Sequence, residues 1–275
     1  MQHKVFTTPG RGGLDLYAQA WLPDTAPRAV VIVAHGLGEH SGRYGRLATD
    51  LVAAGHAVYA LDHRGHGKSP GARANIERFE YVVADLCAFA GRAERQHLDT
   101  PAILLGHSMG GAIAFATALR MQQSLRGLVL SAPALGVAPP PTLQRLVANV
   151  LSTVAPNVGV LKLSPPDVSR DPLVVREYIA DPLVHHAAVP ARTLVELLRA
   201  MEQFPAQLPQ LRLPTLVLHG TADRLVPYAE VRPLCQAIDA RVRTLRTYDG
   251  LYHEVFNEPE RGKVLQDLLR WLGQV

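Results

Sequence analysis

The segment Gly106-His107-Ser108-Met109-Gly110-Gly111 follows the apolar run Pro101-Ala102-Ile103-Leu104-Leu105 and precedes a helix-like stretch from Ala112 to Leu119. That order constrains the fold more than the letters do. A buried strand, a G-x-S-x-G turn and a helix in succession force the serine onto a strained corner, its hydroxyl projecting off the end of a sheet. Gly106 and Gly110 stand two residues either side of Ser108, where a side chain would crowd the neighbouring strand and helix. The letters alone also describe a glycine-rich turn with an ordinary serine. The strand before and the helix after favour a nucleophile at Ser108, with the Met109 N–H facing the same cleft.

Apolar strand-like runs alternate with helical patterns along the chain, which predicts an α/β fold with a mostly parallel sheet covered on both faces. Thr7 to Pro9 and Leu14 to Leu22 read as an opening hairpin. Further strands are expected over Ala29–Ala34, Ala57–Leu61, Ala102–Leu105, Gly127–Ser131, Thr215–Leu218 and Val242–Tyr248. Helices are expected near Tyr44–Ala54, Arg78–Gln96, Gly110–Gln122, Tyr228–Ile238 and Glu260–Leu272. The alternation breaks between about Ala134 and Leu213, a stretch holding Pro139-Pro140-Pro141, Pro165-Pro166 and three helical patterns. Leu143, Leu146, Val147, Val150, Leu151 and Val154 form one apolar stripe at helical spacing, and Leu194, Leu197, Leu198, Met201 and Phe204 a second. Such a stretch is too long for a loop. The expectation is a core of residues 1–133 and 214–275, with 134–213 as an all-helical cap over the sheet's C-terminal edge, where ligands bind in open α/β sheets. A helical layer packed for stability alone is the simpler alternative.

A serine hydroxyl is a poor nucleophile unless a base takes its proton, and the base needs a third group to fix its tautomer. A serine on such a corner expects its partners in the chain order serine, acid, histidine. Thr215-Leu216-Val217-Leu218 runs into His219-Gly220-Thr221-Ala222-Asp223, placing Asp223 just past a strand end. After the final strand, Asp249-Gly250-Leu251-Tyr252-His253 puts His253 on the equivalent loop. Asp223 in isolation could cap a turn and His253 could be a surface histidine; their order and placement favour the triad Ser108, His253, Asp223. Asp249 and Glu254 are fallback acids, close to His253 in sequence. An oxyanion hole needs two backbone donors. Met109 supplies one, and Leu37, in the loop Ala34-His35-Gly36-Leu37-Gly38 after an earlier strand, the other.

At this point a family resemblance becomes specific. His35-Gly36-Leu37-Gly38-Glu39-His40-Ser41-Gly42-Arg43-Tyr44 resembles the oxyanion-loop motif of the monoacylglycerol lipase family. Asp62-His63-Arg64-Gly65-His66-Gly67-Lys68-Ser69, Gly106 to Gly111, Ser169-Arg170-Asp171-Pro172, Tyr178 with Asp181-Pro182-Leu183, and Gly220 to Asp223 match as well. The resemblance spans most of the chain, cap included. It implies an α/β-hydrolase fold and cofactor-free hydrolysis of monoacylglycerols to fatty acid and glycerol. Residues matching Glu39, Arg43, His107 and Tyr178 would hold the glycerol headgroup. Lysophospholipases and broad-range carboxylesterases share the first motif and are the alternative. The alternative for Glu39 and Arg43 is a salt bridge within their loop or at the start of the following helix.

Composition narrows the other classes. A net charge of +4 without any Lys/Arg block does not suggest nucleic acid as a partner. The longest apolar runs, such as Ala29–Ala34, are too short to span a bilayer, and the start from Met1 to Thr7 lacks a secretory apolar region. A cytoplasmic setting is expected, with transient membrane or micelle contact only through an exposed apolar face of the cap. Cys87 and Cys235 read as buried small apolar residues. His63 with His66 and His185 with His186 lack the spacing of an H-E-x-x-H site, so no metal is expected. A dinucleotide-binding loop at Gly36-x-Gly38 with Asp62 ending the next strand fails because Ser41 stands where the third glycine belongs. A phosphate loop fails because Asp62 takes the required glycine's place before Gly67-Lys68-Ser69. A non-catalytic binding module on the same fold is disfavoured by the intact serine, acid and histidine.

Overall fold

The computed structural model describes residues 1–136 and 142–275; Pro139-Pro140-Pro141 and the Leu143 side chain lie outside what it describes. In chain order the strands are β1 (Gln2–Pro9), β2 (Asp15–Leu22), β3 (Val30–Ala34), β4 (Ala57–Leu61), β5 (Ala102–His107), β6 (Leu125–Ser131), β7 (Gly159–Leu161), β8 (Val189–Pro190), β9 (Thr215–Gly220) and β10 (Arg243–Tyr248). The helices are α1 (Gly45–Ala53), α2 (Phe79–Gln96), α3 (Met109–Arg120), α4 (Thr142–Val154), α5 (Pro172–Ala180), α6 (Ala191–Gln207), α7 (Tyr228–Ala237) and α8 (Arg261–Leu272). An eight-stranded sheet runs in the order β1-β2-β4-β3-β5-β6-β9-β10. Its first two pairings, β1 with β2 and β2 with β4, are antiparallel, and all the others are parallel.

The alternation of side chains along a strand explains why the central strands are apolar throughout. Val30, Ile32 and Ala34 enter a core shared with α2 and α3, whereas Val31 and Val33 enter the opposite core with Leu47 and Leu51 of α1 and Leu268 and Trp271 of α8. On α8, Val264, Leu268, Trp271 and Leu272 fall on one face and are buried. Strand order reverses at β3, which has β4 on one side and β5 on the other. Loops at such a switch point part and leave a crevice at the strands' C-terminal ends. The loop from His35 and the Ser108 turn both leave from there.

Several features differ from the sequence reading. The stretch between β6 and β9 is not all helical, because β7 and β8 pair antiparallel within it. Strands of three and two residues are too short for an alternating pattern to register in sequence. The two apolar stripes also part company. On α6, Leu197 and Met201 join the main core, and the Phe204 ring meets Phe115 and Phe79 edge-on at 5.1 and 6.0 Å. On α4, Leu146, Val147, Val150 and Val154 are each half or more exposed, so this stripe faces outward instead of lining the interior. The opening hairpin is also longer than its sequence signature, since β1 begins at Gln2. Of the cysteines, Cys235 is buried and Cys87 only partly so. Among the described residues no helix is long and apolar enough to cross a membrane.

Candidate active site

The turn from β5 into α3 is set by close backbone approach. A Cβ on Gly106 would overlap the Gly110 carbonyl and the Ala114 methyl, and one on Gly110 would overlap the carbonyls of Ala34 and His35. Between them Ser108 sits at φ 55° and ψ −121°, a region costly for a residue with a side chain. Backbone hydrogen bonds over-determine the corner. Ser108 N–H donates to the Ser131 carbonyl at 3.0 Å, and the Ser108 carbonyl accepts from Gly111 at 2.9 Å and Ala134 at 3.0 Å. Met109 is the first residue of α3, where a backbone N–H has no intrahelical acceptor.

His253 and Asp223 meet across the loops after β10 and β9. His253 Nδ1 lies 2.7 Å from Asp223 Oδ2, and both side chains are buried. The other carboxylate oxygen, Oδ1, accepts the Leu225 and Val226 N–H groups, each at 2.9 Å. Burial would raise the Asp223 carboxyl, but the His253 charge and the hydrogen bonds outweigh it and hold the group well below the usual carboxylate range. An ionised acid at Nδ1 fixes the imidazole with Nε2 as its acceptor nitrogen. Of the fallback acids, Asp249 is exposed and accepts from Thr221 Oγ1, and Glu254 is held by Arg43; neither pairs with His253.

A cavity of about 200 Å³ joins these groups. Ser108, His253, Leu37 and Met109 line it, so both predicted oxyanion donors and the serine share one space. Leu194, Leu197, Leu198 and Met201 of α6, with Leu161 and Leu163, form an apolar wall, while Glu39, His107 and Tyr178 contribute polar groups. Four residues of the second sequence stripe thus line the cavity, and none of the described side chains of the first does.

The four expected headgroup residues are reached unequally. Glu39 Oε1 accepts from the Gly36 N–H at 2.5 Å and the Tyr44 hydroxyl at 2.7 Å, and Oε2 from Arg43 at 2.8 Å. Arg43 also clamps both oxygens of Glu254, at 2.5 and 2.8 Å, and its guanidinium lies 4.7 Å above the Tyr178 ring. Arg43 therefore stands behind the cavity as a buried brace between the oxyanion loop and the residue after His253. Burial raises the Glu39 carboxyl, but Arg43 and the neighbouring histidines override it and bring it down to about 2. His107 packs 4.6 Å from His253, ring centre to ring centre, and donates from Nδ1 to the Ser131 carbonyl at 3.1 Å. Burial, reinforced by the charge on His253, pushes it down to about 4, so it is a neutral imidazole with Nε2 left to accept.

Besides Arg43 with Glu254, sequence spacing missed three contacts. His40 Nε2 meets Asp181 Oδ2 at 2.8 Å, and the His185 N–H donates to the Gly38 carbonyl at 2.7 Å, tying the oxyanion loop to the segment after α5. His219, fully buried, places Nε2 3.3 Å from Asp223 Oδ2. The first of these was visible only as a motif match at Asp181-Pro182-Leu183. Asp62, the acid of the dinucleotide alternative, is consumed by Ser41 and the Lys68 N–H.

This sheet, corner and cavity define a serine hydrolase of the α/β-hydrolase fold. The model of the serine aminopeptidase S33 family matches residues 25–260. The monoacylglycerol lipase of Mycolicibacterium smegmatis is 44% identical over 267 residues, covering 96% of this chain and 94% of that one. Human monoglyceride lipase is 35% identical over 266 residues, covering 95% and 88%. Among solved structures, the Paleococcus ferrophilus monoacylglycerol lipase superposes with a TM-score of 0.83 at 33% identity, covering 94% of this chain and 98% of that one. The chain belongs to the monoacylglycerol lipase family, within the serine aminopeptidase S33 group of α/β-hydrolases.

The brace makes a stability prediction. Arg43→Met leaves Glu39 and Glu254 buried without their cation and should cost about 3–5 kcal/mol, read from the urea midpoint. Because Glu39 titrates lower in the folded chain than its ordinary value of 4.5, its contribution is complete above that pH and disappears as pH falls toward about 2. Glu39→Gln should flatten stability against pH in that window, and an unchanged slope would contradict the assignment.

Proposed function

We propose that the protein hydrolyses monoacylglycerols to a fatty acid and glycerol through an acyl-enzyme on Ser108. The observation that carries this reading is one cavity lined at once by an apolar wall, by the polar groups of Glu39, His107 and Tyr178, and by Ser108 and His253. In the proposed mechanism the acyl chain lies against α6 and the ester carbonyl sits at Ser108. His253 Nε2 takes the Ser108 proton as Oγ attacks, and the Leu37 and Met109 N–H groups receive the developing oxyanion. Asp223 stabilises the imidazolium at Nδ1. His253 then protonates the leaving glycerol oxygen. Water, deprotonated by the same nitrogen, attacks the acyl carbon and frees the fatty acid and Ser108 Oγ.

Headgroup binding falls to His107 Nε2, Tyr178 and Glu39 Oε2, which has a single donor and keeps acceptor capacity for a glycerol hydroxyl. Arg43 contributes by fixing Glu39 and Tyr178. In this reading residues 134–213 form the cap, and the outward apolar face of α4 is the surface that meets a membrane or micelle carrying the substrate.

Against an acylglycerol series, hydrolysis should be fastest on monoacylglycerols, with Ser108→Ala losing about 10⁴-fold or more in kcat while keeping its fold. Equal rates on mono- and triacylglycerols, or on lysophospholipids, would contradict the substrate assignment, and retained activity in the serine variant would contradict the mechanism. Leu146→Ser with Val150→Ser should lower turnover of vesicle-borne monoacylglycerol severalfold yet leave a water-soluble short-chain ester unaffected. Parallel losses on both substrates would remove the docking role of α4.

A further inference from the structure

Asp223 has a second imidazole beside it that the mechanism above does not use. His219 lies at the end of β9, four residues before Asp223, and is fully buried. Its Nε2 is 2.9 Å from the Val226 carbonyl and 3.3 Å from Asp223 Oδ2, the same oxygen that meets His253 Nδ1 at 2.7 Å. Both neighbours of that nitrogen are acceptors, so Nε2 carries the hydrogen. Nδ1 is buried without a partner among the described residues. The ring packs 5.4 Å from Tyr228 at the start of α7.

We infer that His219 is a positioning residue for the acid of the proposed triad, holding Asp223 and its loop in register with His253. Its N–H acts twice. It anchors the Val226 carbonyl, and the Val226 N–H in turn donates to Asp223 Oδ1 at 2.9 Å, so the loop closes on the carboxylate as a ring of hydrogen bonds. Its positive end also faces Oδ2 from a different direction than His253. A carboxylate held at Oδ1 by two amides and at Oδ2 by His253, with His219 Nε2 3.3 Å from that same oxygen, cannot swing away from His253 without losing several contacts at once. His107 packs on the other triad member, 4.6 Å from the His253 ring centre, and Glu39 and Glu254 are held by Arg43. His219 does not itself line the cavity and meets it only through the Val226 backbone.

The inference rests on Ser108, His253 and Asp223 being the triad, and the test separates the two. His219→Leu in the full-length chain should lower kcat for a p-nitrophenyl ester by about 10–100-fold with KM within about twofold. His219→Gln, which restores a side-chain N–H, should recover kcat to within about threefold of the parent. Asp223→Asn serves as the control: if it retains parental kcat, the triad reading itself falls. If Asp223→Asn is crippled while His219→Leu keeps parental kcat, or loses activity through KM, only the role of His219 is overturned. Should the leucine variant fail to fold, ¹⁵N-histidine NMR of the parent decides. The Nε2–H tautomer is expected for His219, with its proton resonance shifted in Asp223→Asn, and an Nδ1–H tautomer overturns the proposal.

Discussion

The backbone of β5 and the first turn of α3 cross so closely that no side chain fits at Gly106 or Gly110, and the rest of the site depends on that crossing. It forces Ser108 into a left-handed conformation, which puts the hydroxyl above the sheet and the Met109 N–H at a helix start beside it. Strain of this kind persists only where neighbours fix it. Here Ser131 and Ala134 do so from the adjacent strand and the loop after it. The parallel sheet then delivers the remaining groups for topological reasons. Loops leaving the C-terminal ends of β3, β9 and β10 converge on one edge, bringing Leu37, Asp223 and His253 to the serine.

Charge organises the space behind the cavity. Glu39, Arg43 and Glu254 are buried together, and their alignment joins the oxyanion loop to the loop of His253. Buried ions are costly unless each is matched, so the brace is rigid by necessity. Its position explains how residues that look like headgroup ligands also keep the reacting loops at a fixed spacing. His40 with Asp181, and the Gly38 carbonyl with His185, extend that linkage to the segment inserted before β9.

Much of this was legible from sequence because it was local. Continuous Val/Ile/Leu runs bounded by turns marked the central strands, and the order of strand, G-x-S-x-G and helix marked the corner. The salt bridge weighed as the alternative role of Glu39 and Arg43 is present in the structure. What escaped was long-range or short-lived in sequence. Arg43 finds Glu254 across 211 residues of chain, and no spacing rule connects them. The pairing of β7 with β8 involves too few residues to show a period. The α4 stripe is an apolar face in the sequence, but periodicity cannot say what covers such a face, and here nothing among the described residues hides Leu146 or Val154. His219 was passed over because a histidine ending a strand carries no signal until its neighbours are placed.

The central claim is that Ser108 is the activated nucleophile of a relay through His253 to Asp223. Incubation with a fluorophosphonate, followed by intact-mass measurement and peptide mapping, tests it most directly. The account predicts a single covalent adduct located on Ser108, formed at a rate that collapses in His253→Ala. An unlabelled protein, an adduct on another side chain, or labelling that is indifferent to the loss of His253 would contradict it.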